Sequence, residues 1–192
     1  MHAKLLATEE TRQGREAFLE KQKPSTVVGE TKSGFSQGEC MVDFYVEKGQ
    51  TSSFTKTVSE SDVFLFAGIT GDFSPNHVNK AYMEKSPYGK LMAHGALMVG
   101  FMSTVSTMAI AHTRDAEENP VSVGYDKVRF LKPVFLGDTI TVNYTIAEIE
   151  LERKRSYADI EIYNQDGELV AVGKHILQWI PNPGKKRRVD GV

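Results

Sequence analysis

Cysteine occurs once in the 192 residues, at Cys40, which excludes an internal disulfide and a cysteine-built zinc cluster and gives no sign of an oxidising compartment. A lone cysteine can be a nucleophile but is more often a small buried hydrophobe. No glycine-rich phosphate loop of the Walker or Rossmann type is present, and no internal repeat. Neither sign of charge prevails: the net charge of −2 does not suggest a general nucleic-acid binder. His77, His94, His112 and His175 are dispersed without tight ligand spacing, so no metal site is expected. Met1 to Glu20 carries charges throughout and lacks an apolar signal core, which makes the cytoplasm the expected compartment. The one long uncharged apolar run, Gly95 to Ala111, is short for a membrane span. Ser103, Thr104, Ser106 and Thr107 interrupt it, so a helix buried in protein is expected and no membrane partner.

The length suits one domain with a modest extension, or one that completes its core by dimerising. Three parts are expected: an N-terminal extension over 1–50, a domain over 51–180 and a basic tail over 181–192 holding Lys185 to Arg188. Within the extension, Thr8 to Lys21 reads as a helix and Met41 to Val46 as a first strand, with a polar linker reaching Gln37. Thr51 to Val58 is threonine-rich and β-branched and predicts a strand. Ser59 with Asp62 forms a capping-box pattern for a helix whose apolar face is Val63, Phe64, Phe66, Ala67 and Ile69, ended by Gly71. Asn79 predicts the cap of a short helix through Met83. The last third predicts four strands: Val121–Phe130, Asp138–Glu150, Lys154–Tyr163 and Leu169–Ile180. Strands gathered after helices make the class α+β, with an antiparallel sheet wrapped around a long central helix; a partner would have to cover whatever face the sheet leaves.

Chemistry concentrates in Gly71-Asp72-Phe73-Ser74-Pro75-Asn76-His77. Pro75 stiffens the loop, and a carboxylate and an imidazole five residues apart could hold one water, with the imidazole suited to general-base work. The alternative is a side-chain turn at Asp72 with His77 an incidental polar residue. Gly95 opens the apolar helix, where unpaired backbone N–H groups can polarise a thioester carbonyl; it can equally serve close packing. His94 is either a ligand contact or a helix-start histidine bonded to backbone. Ser103, about two turns on, could partner Asp72 or bond back to the Val99 carbonyl. Arg129, Lys132, Arg153, Lys154 and Arg155 fit coenzyme A phosphates or a solvated strand edge alike.

These residues resemble the MaoC-like, (R)-specific enoyl-CoA hydratases of the hotdog fold over roughly Thr51 to Ile180. The anchors are Ser59 to Val63, Gly71 to His77, Ala93-His94-Gly95-Ala96-Leu97-Met98, and Val128 to Asp138. The resemblance implies a hydro-lyase that hydrates trans-2-enoyl thioesters or dehydrates 3-hydroxyacyl thioesters. It implies Asp72 and His77 as the catalytic pair, Gly95 N–H as oxyanion donor and Ser103 as the residue orienting Asp72. Asn76, His94, Leu97, Met98 and Phe101 are the expected substrate contacts, with Met102 a further wall residue. No cofactor is expected beyond the coenzyme A or acyl carrier borne by the substrate, and the expected assembly is a homodimer or higher homo-oligomer without nucleic acid. The chain departs from the family at Ser74 and Asn76, where Asn and an apolar residue are frequent, and at Asn79, where Asp is common. An acyl-CoA thioesterase and a non-catalytic acyl-CoA-binding regulatory domain are the competing readings.

Overall fold

A computed structural model describes residues 44–182. The expected helix Thr8 to Lys21, the linker, Cys40 and the basic cluster lie outside them. Of the expected first strand only Phe44 to Val46 is described, and it bends instead of pairing. Phe44 and Tyr45 pack on Trp179 with ring centroids 4.9 and 5.7 Å away, while Val46 is buried, so aromatic packing outweighs strand pairing here.

Five antiparallel strands form one sheet: β1 (Thr51–Thr57), β2 (Glu118–Phe130), β3 (Thr139–Glu150), β4 (Arg155–Tyr163) and β5 (Leu169–Pro181), in spatial order β1-β3-β4-β5-β2. Every second residue of β4 is buried, the period-two signature of a strand with one face on a core. β2 begins three residues before the sequence suggested, at Glu118. It runs through Pro120, whose missing N–H is tolerated because β2 is an edge strand. Two register shifts, between Ser122 and Gly124 and between Asp126 and Arg129, bend that edge.

Helix α1 (Glu60–Thr70) starts as its sequence dictates. The Asp62 N–H donates to Ser59 Oγ at 3.2 Å and the Ser59 N–H donates to Asp62 Oδ2 at 2.8 Å. Its apolar face is narrower than expected. Val63 and Ala67 are buried and Phe66 half-buried, whereas Phe64 and Ile69 are exposed, because a 3.6-residue period turns 64 and 69 away from 63, 66 and 67. Gly71 ends the helix at φ +78°, its N–H bonded to the Ala67 carbonyl. Two single turns follow, α2 (Pro75–Val78) and α3 (Lys80–Met83), the latter capped by Asn79, whose Oδ1 accepts the Tyr82 N–H.

Helix α4 (Gly95–Ala109) lies against the sheet, with a short 3-10 turn (Ala111–Thr113) after it. Leu97, Met98, Phe101, Met102, Val105, Ser106 and Ala109 are buried. All but Ser106 join Ile140, Val142, Tyr144 and Ile146 of β3 and Ala158, Ile160 and Ile162 of β4 in one core. Ala96, Gly100, Ser103, Thr104, Thr107 and Met108 face outward. The helix is thus covered on one side within the single chain, not all round. This is the hotdog fold, an α+β sheet around a long helix. Among the described residues no helix is long and apolar enough to cross a membrane.

Candidate active site

The loop from α1 to α2 and the segment entering α4 meet at one end of the central helix. They are clasped by backbone: the Met92 N–H donates to the Asn76 carbonyl at 3.0 Å, and the Ala93 N–H to the Val134 carbonyl at 2.8 Å. Met92 also forms an isolated antiparallel bridge with Phe135. His77 Nδ1 lies 2.8 Å from the Met92 carbonyl, which can only accept, so the His77 proton is fixed on Nδ1 and Nε2 carries the lone pair. The Asn76 side-chain N–H group approaches that nitrogen at 3.4 Å.

An Asp72 carboxylate oxygen and one nitrogen from each of His77 and His94 lie within 4.8 Å of one another. His77 is buried, while the Asp72 side chain is 54% exposed. Asp72 Oδ1 accepts the Ser74 N–H at 3.2 Å, the side-chain turn that the loop composition suggested, and this leaves the rest of the carboxylate open. Histidines dispersed in sequence are therefore neighbours in space. Yet the His77 and His94 rings stack with centroids 3.7 Å apart and planes 25° from parallel, so their in-plane lone pairs do not converge on one ion. The trio fits proton handling better than metal binding.

A cleft of about 450 Å³ opens beside the pair, walled by Asn76, His77, Met98, Phe130 and Val134 and reaching Gly95. Gly95 is the first residue of α4, where a backbone N–H has no carbonyl partner in its own helix. A methyl group on Gly95 would stand 2.7 Å from two carbons of the Phe130 ring, so only glycine fits with that ring in place.

Asp72, Asn76, His77, His94 and Gly95 are thus gathered at one place. Of the expected acyl-wall residues, Met98 lines the cleft, whereas Leu97, Phe101 and Met102 are packed into the core, Phe101 within 6.2 Å of the Phe54 ring. They occupy the sheet-facing side of α4, so the core takes them. His94 lines the cleft as well, although it is only 2% exposed and its Nε2 lies 2.9 Å from the Asp72 backbone carbonyl. Ser103 is exposed and makes no hydrogen bond to Asp72 in the described chain; its hydroxyl and that of Ser106 face the Tyr125 phenol. Burial pushes that phenol up in pKa and the two hydroxyls pull against it, but neither completes a well-directed bond to the Tyr125 oxygen.

Among the basic candidates only Lys132 lines the cleft, paired there with Glu168. Arg129 turns to its own strand at the Val128 carbonyl, Arg153 pairs with Glu150, Lys154 with Glu118, and Arg155 bonds Gln178. Tyr88, Met92 and Phe130 also line the cleft, and no local sequence pattern points to them. Phe130 does fall inside the anchor Val128 to Asp138.

Several known proteins are similar. An (R)-specific enoyl-CoA hydratase of Rhodospirillum rubrum is 37% identical over 109 residues, 57% of this chain and 72% of that one. A 3-hydroxybutyryl-CoA dehydratase of Methylorubrum extorquens is 34% identical over 111 residues, 58% of this chain and 67% of that one. Among solved structures, the (R)-hydratase from A. caviae involved in PHA biosynthesis superposes with a TM-score of 0.61 at 22% identity, covering 69% of this chain and 96% of that one, a likeness of fold. The profile of the MaoC like domain matches residues 44–165, and the chain belongs to that family.

Proposed function

We propose that this protein is a hydro-lyase that adds water to a trans-2-enoyl thioester to give the (R)-3-hydroxyacyl thioester, or runs the reverse dehydration. The observation that carries this is His77: its Nδ1 proton is committed to the Met92 carbonyl, one of its ring nitrogens lies within 4.8 Å of an Asp72 carboxylate oxygen, and it lines a cleft reaching the start of α4. The hydratase and dehydratase names of the relatives support the same class.

In the hydration direction one water is held between Asp72 and His77. One O–H bond breaks as a member of the pair takes the proton. The C3–O bond forms, and charge moves to the thioester oxygen, where the Gly95 N–H donates to it. The pair returns a proton to C2, so none is consumed. Metal and cofactor are not needed for this proton balance, and coenzyme A or an acyl carrier enters only as part of the substrate. The open face of α4 and the edge strand β2 favour a homodimer or a higher assembly of dimers, since an unpartnered edge is a liability. The cytoplasm remains the expected compartment.

The test is crotonyl-CoA hydration, followed as loss of enoyl-thioester absorbance, with chiral analysis of the product. Wild type should form the (R)-alcohol, and Asp72→Asn and His77→Gln should each lose about 100-fold or more in kcat. Release of free thiol would instead make the protein a thioesterase. Tight binding of enoyl-CoA without turnover would make it a binding domain.

A further inference from the structure

We infer that His94 is a positioning residue that sets both members of the catalytic pair: its Nε2–H holds the Asp72 backbone carbonyl, and its ring backs His77. This rests on Asp72 and His77 being that pair.

The placement of the proton follows from chemistry. His94 Nε2 and the Asp72 carbonyl oxygen are 2.9 Å apart, and the oxygen can only accept, so Nε2 must carry the hydrogen. A proton on Nδ1 instead would set two lone pairs against each other and leave a buried N–H without a partner, since Nδ1 contacts no polar group. His94 precedes the first residue of α4, where a polar side chain usually caps the free helix N–H groups, yet it makes no such bond. Its one donor is spent on the loop.

That loop has little else to hold it. The Asp72 N–H reaches Thr70 Oγ1, at the end of α1, at 3.3 Å, and the Ser74 N–H reaches Asp72 Oδ1 at 3.2 Å, both contacts between residues two apart in sequence. His94 ties it to another element, 22 residues away in sequence. The imidazole is itself clamped, with the His77 ring at 3.7 Å and the Phe66 ring at 4.9 Å. Asp72 and His77 are therefore referenced to the same rigid plate at the start of α4, the helix whose first N–H faces the thioester. A shift of about 1 Å at such a pair is enough to cost about 100-fold in rate.

Three variants separate this role from substrate contact. His94→Gln keeps an N–H near the Nε2 position; His94→Asn places its amide near Nδ1, short of the loop; His94→Phe keeps a ring without a donor. The Gln variant keeps the tie but not the ring behind His77, so it should lose less kcat than the Asn and Phe variants, which lose at least about 10-fold in kcat with KM changed less than about 3-fold. Equal losses in all three, or a raised KM at unchanged kcat, would overturn the inference. Wild type carries a second reading that needs no variant: two-bond proton–nitrogen correlation spectra should show His94 protonated at Nε2 and His77 at Nδ1. His94 protonated at Nδ1 overturns the inference whether or not the variants fold. Inactive wild type with the expected spectrum would fail the hydration reading alone, because the tie to Asp72 would still be present.

Discussion

Phe130 lies against Gly95, closely enough that an added Cβ would meet its Cδ2 and Cε2 at 2.7 Å. The ring is 53% exposed and can swing away, so the clash is relieved at the cost of the cleft wall. Gly95→Ala should therefore lower kcat/KM by about 10-fold or more while leaving the protein folded. Phe130→Ala in the same chain should recover the lost thermal stability, with a coupling energy of about 0.5 kcal/mol or more in a double-mutant cycle. Strict additivity of the melting shifts would show that the two residues do not constrain each other.

Ser103 is the residue on which family resemblance and geometry part company. It faces outward beside Tyr125, about 12 Å along the helix from Gly95. Ser103→Ala should cost less than about 10-fold in kcat, against about 100-fold or more for Asp72→Asn. Comparable losses in steady-state kinetics would mean that assembly brings the hydroxyl to an Asp72 carboxylate.

A buried histidine gives the fold a pH dependence of its own. His175 is fully buried, stacked on Tyr125 at 4.4 Å, with Nε2 2.8 Å from Ser122 Oγ and Nδ1 3.2 Å from the Tyr144 hydroxyl. Burial pulls its pKa down to about 4. Above about pH 6.5 neither the folded nor the unfolded chain protonates it. As pH falls from about 6.5 to about 4 the unfolded chain takes a proton that the folded one refuses, and stability drops by roughly 3 kcal/mol. Denaturant melts across that window should show the loss, and His175→Gln should flatten it.

The cap of α1 makes a smaller prediction. Burial pushes the Asp62 carboxyl up, but the Ser59 N–H, the Ser59 hydroxyl and the Lys56 ammonium outweigh it and hold the group below the usual carboxylate range. Its contribution is thus full above the unfolded value and lost as pH falls through the lowered one. Ser59→Ala should cost about 1 kcal/mol, a melting shift of about 2–4 °C at neutral pH, with the difference shrinking under acid. An unchanged melting temperature would show the cap to be redundant.

Local rules wrote much of this molecule legibly. The cap at Ser59, the left-handed Gly71, the turn at Asn79 and the four late strands each rest on neighbours in sequence, and each is found close to its expected place. The Asp72–His77 loop and Gly95 were legible because proline, glycine and an acid/base pair rarely coincide by chance. What sequence hid depends on faces. Leu97 and Phe101 could point to ligand or sheet, and only the packed helix decides. Ile69 looked like core by composition and is exposed by rotation about the helix axis. The tie from His94 to Asp72 spans two elements, and no local pattern announces it.

The chemistry-bearing residues occupy one continuous stretch from Asp72 to Gly95, and two backbone bonds fasten it to the segment joining β2 and β3: Ala93 to Val134 at 2.8 Å and Leu136 to Leu91 at 3.3 Å. The strands, by contrast, hold one another through long ladders. Such a segment can peel away as a local opening while the ladders stay closed. Catalysis should then fail at a lower urea concentration than the strand circular dichroism, and amide exchange should be faster at Met92 and Ala93 than in β4. The enzyme would lose its competence before it loses its shape.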